Sequence, residues 1–226
     1  MLIILNHKMN LNIDEIKEYE KILRDYDVVV MPQTPYMSLF THGKYTLGSQ
    51  CVSEYNAPGG VSAESLAAMN VKYVLVGHYE RRNIARDTDE VIKKKIVKTL
   101  EYQMSPILCV GDNNEDDIDM VKKQIDSAFS NLGIDLNKII IAYEPIHSIG
   151  TNQMLDASII LDKIKNIKGY LKEKYNLNNK IIYGGSVNSE NIDELQNITI
   201  LDGIIIGHAS LDINEVKSIY QKIKKL

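Results

Sequence analysis

Short apolar runs alternate with amphipathic segments along the whole chain. The runs are rich in Ile and Val and lack an alternation of apolar and polar positions, which is typical of strands buried on both faces of a parallel sheet. We therefore predict eight parallel strands with helices packed outside them. The runs are "LIIL" (2–5), "VVVM" (28–31), "YTLGS" (45–49), "YVLVG" (73–77), "PILCVG" (106–111), "IIIAY" (139–143), "KIIYGG" (180–185) and "DGIIIG" (202–207).

The segments between most of these runs carry apolar residues at helical spacing, and several open with a capping signal. Eight strand–helix units in 226 residues fit one closed (β/α)8 barrel, an α/β fold in which residues 1–226 form a single domain. An open doubly wound sheet is the rival, but its usual Gly-rich first turn is missing from "NHKMNLN". The predicted capping pairs are Asn12 with Glu15, Asp87 with Glu90, and Asp212 with Glu215.

Composition narrows the class of protein. The formal net charge of -4 gives no general attraction to nucleic acid or to an anionic membrane, so anion binding must come from a local site. Two cysteines, Cys51 and Cys109, are too few for a disulfide framework and predict a reducing, cytoplasmic location. The apolar start "MLIIL" is interrupted by "NHK" before it reaches the length of a membrane span.

Polar residues follow the carboxyl ends of several predicted strands. In a closed barrel these strand ends share one face, where Lys8, His78 and Glu144 would meet as a cation, an electrophile and a base. Each residue alone has a simpler interpretation: a solvated loop lysine, a core histidine, a loop-closing carboxylate. Their predicted convergence is what favours an active site over three unrelated positions.

Three glycine-containing turns would lie beside these side chains: "IGT" (149–151), "GGS" (184–186) and "GH" (207–208). Tight turns without a ligand explain each of them singly, because glycine is the usual residue where φ must be positive. Together their backbone N–H groups would form an anion cradle. The residues therefore predict a small phosphorylated substrate.

Four blocks of sequence resemble the triosephosphate isomerase family, and they occur in order at the ends of the expected strands. The blocks are "NHKMN" (6–10), "VGHYERR" (76–82), "AYEPIHSIGT" (142–151) and "YGGSVN" (183–188), followed by "DGIIIGHASL" (202–211). The resemblance implies a TIM barrel that interconverts dihydroxyacetone phosphate and D-glyceraldehyde 3-phosphate in glycolysis and gluconeogenesis. It further implies a homodimer and the absence of any metal or organic cofactor.

The resemblance also assigns roles to residues, and these roles are the family's own. Glu144 is similar to the general base, His78 to the neutral imidazole that polarises the substrate carbonyl, Lys8 to the cation that stabilises the enediolate, and Asn6 to a residue that hydrogen-bonds the substrate oxygens. The implied substrate-binding set is Asn6, Lys8, Gly150, Ser186, Gly207 and His208, and the supporting set is Glu80, Ile149 and Ile205.

The chain departs from the family pattern in several places. His7 and His147 stand where Trp is usual, Asp112 where Glu is usual, and His208 where Gly is usual. The loop 52–62 is shorter than the family's interface loop and lacks its "TGE". Two alternatives to the main interpretation stay open: a paralogous isomerase for another phosphorylated ketose such as erythrulose phosphate, and a catalytically silent barrel that binds sugar phosphate.

Overall fold

The protein is a closed barrel of eight parallel strands surrounded by helices. The computed structural model describes residues 1–114, 117–148 and 153–224. The strands are β1 (Leu2–Asn6), β2 (Val29–Met31), β3 (Thr46–Ser49), β4 (Tyr73–Val76), β5 (Ser105–Val110), β6 (Ile140–Tyr143), β7 (Ile181–Tyr183) and β8 (Gly203–Ile206). The helices are α1 (Ile13–Leu23), α2 (Ala63–Ala68), α3 (Tyr79–Asn83), α4 (Asp89–Glu101), α5 (Ile118–Phe129), α6 (Ala157–Tyr175), α7 (Ile192–Gln196) and α8 (Ile213–Lys224).

Each strand pairs in parallel with the next one in sequence, and β1 closes the ring by pairing with β8. The register places Ile4 opposite Val29 on one side and opposite Ile205 on the other. The predicted (β/α)8 barrel is thereby confirmed, and the open doubly wound sheet is excluded. Short 3-10 helices, at Thr34–Leu39, Leu136–Lys138, Ile146–Ser148 and His208–Leu211, complete the connections.

Two apolar cores hold the barrel together. The larger core lies between the outer face of the strands and the helices, which bury residues such as Ile16, Ile96 and Ile164. The smaller core fills the inside of the barrel, since successive side chains of a strand point to opposite faces. Its buried members are Ile4, Val29, Met31, Leu75, Ile107, Cys109, Ile140, Ala142, Ile182 and Ile205.

The capping predictions for α1 and α4 have different outcomes. Asn12 and Glu15 form the expected capping box at the start of α1. Asp87 does not cap α4: Thr88 Oγ1 accepts the hydrogen bond of Val91 N instead. The prediction for α4 is therefore wrong, and the carboxylate of Asp87 is occupied by two cations.

The Asp87 carboxylate accepts from Arg81 Nη2 at 2.8 Å and from Lys95 Nζ at 2.6 Å. Partial burial alone would raise the pKa of Asp87, but its bonds to these two cations lower the pKa below the usual value. At α8, Asp212 Oδ1 accepts from Asn214 N as a cap should. The prediction that Glu215 reaches back to Asp212 is wrong, because Glu215 accepts two hydrogen bonds from Ser189 in the loop after β7.

Candidate active site

Glu144 lies directly after β6, at the mouth of the barrel, and only 3% of it is exposed. Its backbone N–H donates to Val110 O at 2.8 Å, which fixes the residue beside the end of β5. Two glycines leave room for it: a Cβ on Gly184 would lie 2.8 Å from Glu144 Cγ, and one on Gly111 would lie 2.0 Å from Glu144 O. The carboxylate is thus held in a shielded position.

Cys109 on β5 lies under this carboxylate, inside the barrel, and is fully buried. Burial, the negative charge of Glu144 and a hydrogen bond to Glu144 raise the pKa of the Cys109 thiol well above its usual value. The sulfur therefore stays protonated and can only donate to the carboxylate, without adding a second negative charge.

His78 follows β4 and caps α3. Its Nδ1 accepts a hydrogen bond from Glu80 N at 3.3 Å, so that nitrogen carries no proton. A ring that accepts at Nδ1 carries its N–H at Nε2. That atom lies 3.8 Å from Glu144 Oε1. Gly77, with φ of +74°, permits the sharp turn that aims the imidazole at the barrel mouth.

Lys8 occupies a left-handed backbone conformation, with φ of 51°, that a lysine rarely adopts. Its N–H donates to Asn6 Oδ1 at 3.1 Å, and Gln50 Nε2 donates to the carbonyls of Lys8 and Met31 at 2.8 and 2.9 Å. Its ammonium pairs with Glu80 Oε1 at 2.7 Å. These contacts offset the backbone strain and hold the cation next to the site.

A cavity of about 680 Å³ opens between these residues and the loops after β7 and β8. The structure brings together there the predicted Asn6, Lys8, His78, Glu144, Ser186, Ile205, Gly207 and His208. Glu80 stands behind Lys8 as its ion-pair partner. The predicted Ile149 and Gly150 lie outside the described residues. The other described residues of the lining are Gly184, Gly185, Val187, Asn188, Glu190, Ala209, Leu211, Asp212 and Glu215.

His7, between Asn6 and Lys8, is fully buried and packs edge-to-face on Tyr19 with ring centroids 4.6 Å apart. Within the described part of the chain, neither of its ring nitrogens has a hydrogen-bond partner. Burial lowers the pKa of His7 to about 4. The ring is therefore neutral near pH 7 and serves as packing, while its neighbours face the cavity.

A buried ion pair behind Glu144 was not predicted from the sequence. Asp112 has no exposed surface and accepts from Lys163 Nζ at 2.6 Å and from Tyr143 OH at 3.1 Å. Its carbonyl accepts from Ile146 N, and its Oδ1 lies 4.0 Å from His147 Nδ1. The cluster braces the chain that follows Glu144. Lys163 gives no signal in the sequence, because a lysine beside the apolar stripe of a helix is normally solvated.

The described residues contain no group of three or more His, Cys, Asp or Glu side chains arranged to hold a metal ion. Within the same residues, none of the helices combines the length and the apolar character needed to cross a membrane. A shielded carboxylate, an imidazole and an ammonium group surround one cavity.

Known proteins match this chain over nearly its full length. The family model described as triosephosphate isomerase matches residues 1–223. The chain belongs to the triosephosphate isomerase family. A triosephosphate isomerase of Mesomycoplasma hyopneumoniae is 35% identical over 95% of this chain and 96% of that protein. Those of Aquifex aeolicus and Buchnera aphidicola are 35% and 34% identical, over 93% and 96% of this chain and 94% and 97% of theirs.

Proposed function

We propose that this protein interconverts dihydroxyacetone phosphate and D-glyceraldehyde 3-phosphate. Membership of the triosephosphate isomerase family supports an isomerase. The observation that carries the reaction is the 3.8 Å approach of His78 Nε2 to the shielded Glu144 carboxylate at the cavity that Lys8 also lines. A base, a hydrogen-bond donor and a cation then surround one small substrate.

In the proposed mechanism, Glu144 removes a proton from the carbon next to the substrate carbonyl. The electron pair moves to the carbonyl oxygen, where the Nε2–H of His78 donates to the developing oxyanion. Protons shift between the two oxygens of the enediolate, and Glu144 returns its proton to the neighbouring carbon. No net charge or electron is gained or lost, so the reaction needs no oxidant or reductant.

Lys8 and Asn6 are proposed to hold the substrate oxygens and the phosphate. The Lys8 ammonium, though paired with Glu80, lies at the cavity and adds positive charge where the enediolate and phosphate are anionic. Ser186, Gly207 and His208 are proposed as the phosphate side; the family resemblance adds Gly150 to the substrate-binding set and Ile149 to the supporting set, and both lie outside the described residues. Ile205 lines the cavity as an apolar wall.

Turnover of the purified protein on glyceraldehyde 3-phosphate tests the proposal. We expect Glu144→Asp and His78→Gln each to lower kcat by about a hundredfold or more. The matched controls Glu101→Asp and His42→Gln, both at exposed positions, are expected to retain wild-type turnover. Faster turnover of an erythrulose phosphate would favour the paralogous isomerase. Tight binding of phosphate without turnover of either substrate would favour the silent barrel.

A homodimer is part of the proposal. Three large apolar side chains are mostly exposed on the loops after β1, β3 and β4: Met9, Tyr55 and Ile84, with exposed fractions of 86%, 58% and 77%. These loops all follow the carboxyl ends of parallel barrel strands, and exposed apolar patches often mark an interface between proteins. Light scattering should give a dimer for the wild type and a smaller mass for Met9→Glu with Ile84→Glu. A monomeric wild type would contradict the dimer.

The proposal treats residues 1–226 as one catalytic domain that works in the cytoplasm as part of glycolysis and gluconeogenesis. The two free cysteines fit a reducing compartment. Fractionation of the source cells, with detection of this protein by a specific antibody, would check the location.

A further inference from the structure

The loop between β7 and α7 contains two asparagines that hydrogen-bond each other's backbone. Asn188 N donates to Asn191 Oδ1 at 2.9 Å, and Asn191 N donates to Asn188 Oδ1 at 3.1 Å. Asn188 Oδ1 also accepts from Glu190 N at 2.9 Å. The two side chains thereby fix the turn that leads into α7.

The side-chain NH2 group of Asn191 points back into the loop. Its Nδ2 donates to Ser186 O at 2.9 Å. The hydroxyl of Ser186 meanwhile donates to Ser148 O at 3.0 Å. Ser186 is therefore fixed at two points: its carbonyl is bonded to Asn191, next to α7, and its hydroxyl is bonded to Ser148, in the segment after Glu144.

Fixing this carbonyl also orients the adjoining N–H, because the C=O and N–H of one trans peptide unit point in opposite directions. The Ser186–Val187 peptide is the unit concerned, and both residues line the cavity. Within residues 1–114, 117–148 and 153–224, the N–H groups of Gly185, Ser186 and Val187 find no protein acceptor. Three successive N–H groups that have no acceptor among the described residues, and that lie at a cavity, suit an anion.

We propose that Asn191 is a positioning residue for the phosphate group of the substrate. Asn191 lies outside the cavity lining, so it acts through Ser186 rather than by touching the ligand. The inference rests on the proposed function, since it assumes that the substrate's phosphate occupies the loop after β7. Glu215 supports the same loop from α8 by accepting from Ser189 N and Ser189 Oγ.

The test compares a substrate that has the phosphate with one that lacks it. Asn191→Asp keeps the acceptor for Asn188 N but turns a carboxylate oxygen towards the carbonyl of Ser186, and Asn191→Ala removes both contacts. We expect either variant to lower kcat/KM for glyceraldehyde 3-phosphate by about ten- to a hundredfold, as displaced binding groups do. Inhibition by inorganic phosphate should weaken by a similar factor.

Unphosphorylated glyceraldehyde is the internal control. Its proton exchange, followed by NMR in deuterated water, should change less than about twofold, because it has no phosphate to place. Asn197→Asp adds the same charge at an exposed position beyond α7 and should behave as wild type in all three assays.

Equal losses on the two substrates would overturn the proposal, since a general disturbance of the site affects both. Unchanged inhibition by inorganic phosphate, or variants that do not fold, would also overturn it. Turnover of triose phosphates by the wild type tests the proposed function separately. If the wild type turns over no triose phosphate, calorimetric titration of the wild type and Asn191→Ala with inorganic phosphate still decides the role of Asn191.

Discussion

His7 makes the stability of this barrel depend on pH in a way that one substitution should remove. The imidazole is fully buried, and within the described residues both its nitrogens lack a partner. Burial lowers its pKa from 6.5 to about 4 in the folded protein. The unfolded chain therefore binds a proton at His7 more readily than the folded one.

The sign and the size of the effect follow from that difference. Well above pH 6.5 His7 is neutral in both the folded and the unfolded state, so it does not lower the free energy of unfolding. As the pH falls from 6.5 towards 4, only the unfolded state is protonated, so the free energy of unfolding decreases. The full shift corresponds to about 3 kcal/mol at about 1.4 kcal/mol for each pH unit, and about 2 kcal/mol of it should be lost by about pH 5.

The substitution His7→Phe keeps an aromatic ring against Tyr19 and removes the titrating group. Wild type and variant are unfolded with urea at about pH 7.5 and about pH 5.0, at one protein concentration. For each protein this gives the loss of unfolding free energy between the two pH values, and the two losses are compared. Any change in packing is common to both pH values and cancels. The wild type should lose about 2 kcal/mol more than the variant between them.

The matched control is His42→Phe, because His42 is exposed and meets solvent in both states. We expect this control to show the same pH dependence as the wild type. The reasoning is refuted if His7→Phe also retains the wild-type pH dependence. It is refuted too if the wild type becomes more stable on acidification while the variant does not.

Three further substitutions test single contacts. Gly184→Ala places a Cβ 2.8 Å from Glu144 Cγ, so kcat should fall by about a hundredfold with little change in thermal stability, and an unchanged kcat would contradict the fit. Lys163→Met leaves the buried Asp112 carboxylate without its cation and should cost about 3–5 kcal/mol in urea unfolding, whereas a neutral result would mean that the carboxylate finds another partner. Asn12→Ala removes the cap of α1 and should cost about 1 kcal/mol by the same measurement, and no loss would refute the capping role.

The barrel was predictable because the position of each strand follows from a run of apolar residues. A parallel strand buried on both faces needs a continuous apolar run, and all eight runs became strands whose ends differ from the predicted ones by at most two residues. The strand ends then placed Lys8, His78 and Glu144 on one face, since a closed parallel barrel leaves no other arrangement.

The contacts that position those residues were not predictable from the same pattern. Asp87 has the sequence context of a helix cap, but Arg81 and Lys95 come close enough in the fold to take its carboxylate. The burial of Lys163 depends on Asp112, 51 residues earlier in the chain, and no local signal marks such a pair. Periodicity fixes which face a residue lies on, whereas hydrogen-bond partners depend on distances that only the folded chain sets.

Glu144, the proposed base, and the proposed phosphate side are adjacent but are held by separate contacts. Ser186 Oγ donates to Ser148 O, which joins the loop after β7 to the segment after Glu144. Glu144, however, has its own anchor in the bond from its N–H to Val110 O, and Gly184 N is bonded to Tyr143 O on the strand before it. A loosened Ser186–Val187 peptide can therefore shift without moving the carboxylate. This separation is why loss of Asn191 should weaken reactions of phosphorylated substrates and spare glyceraldehyde, whereas Gly184→Ala should slow both.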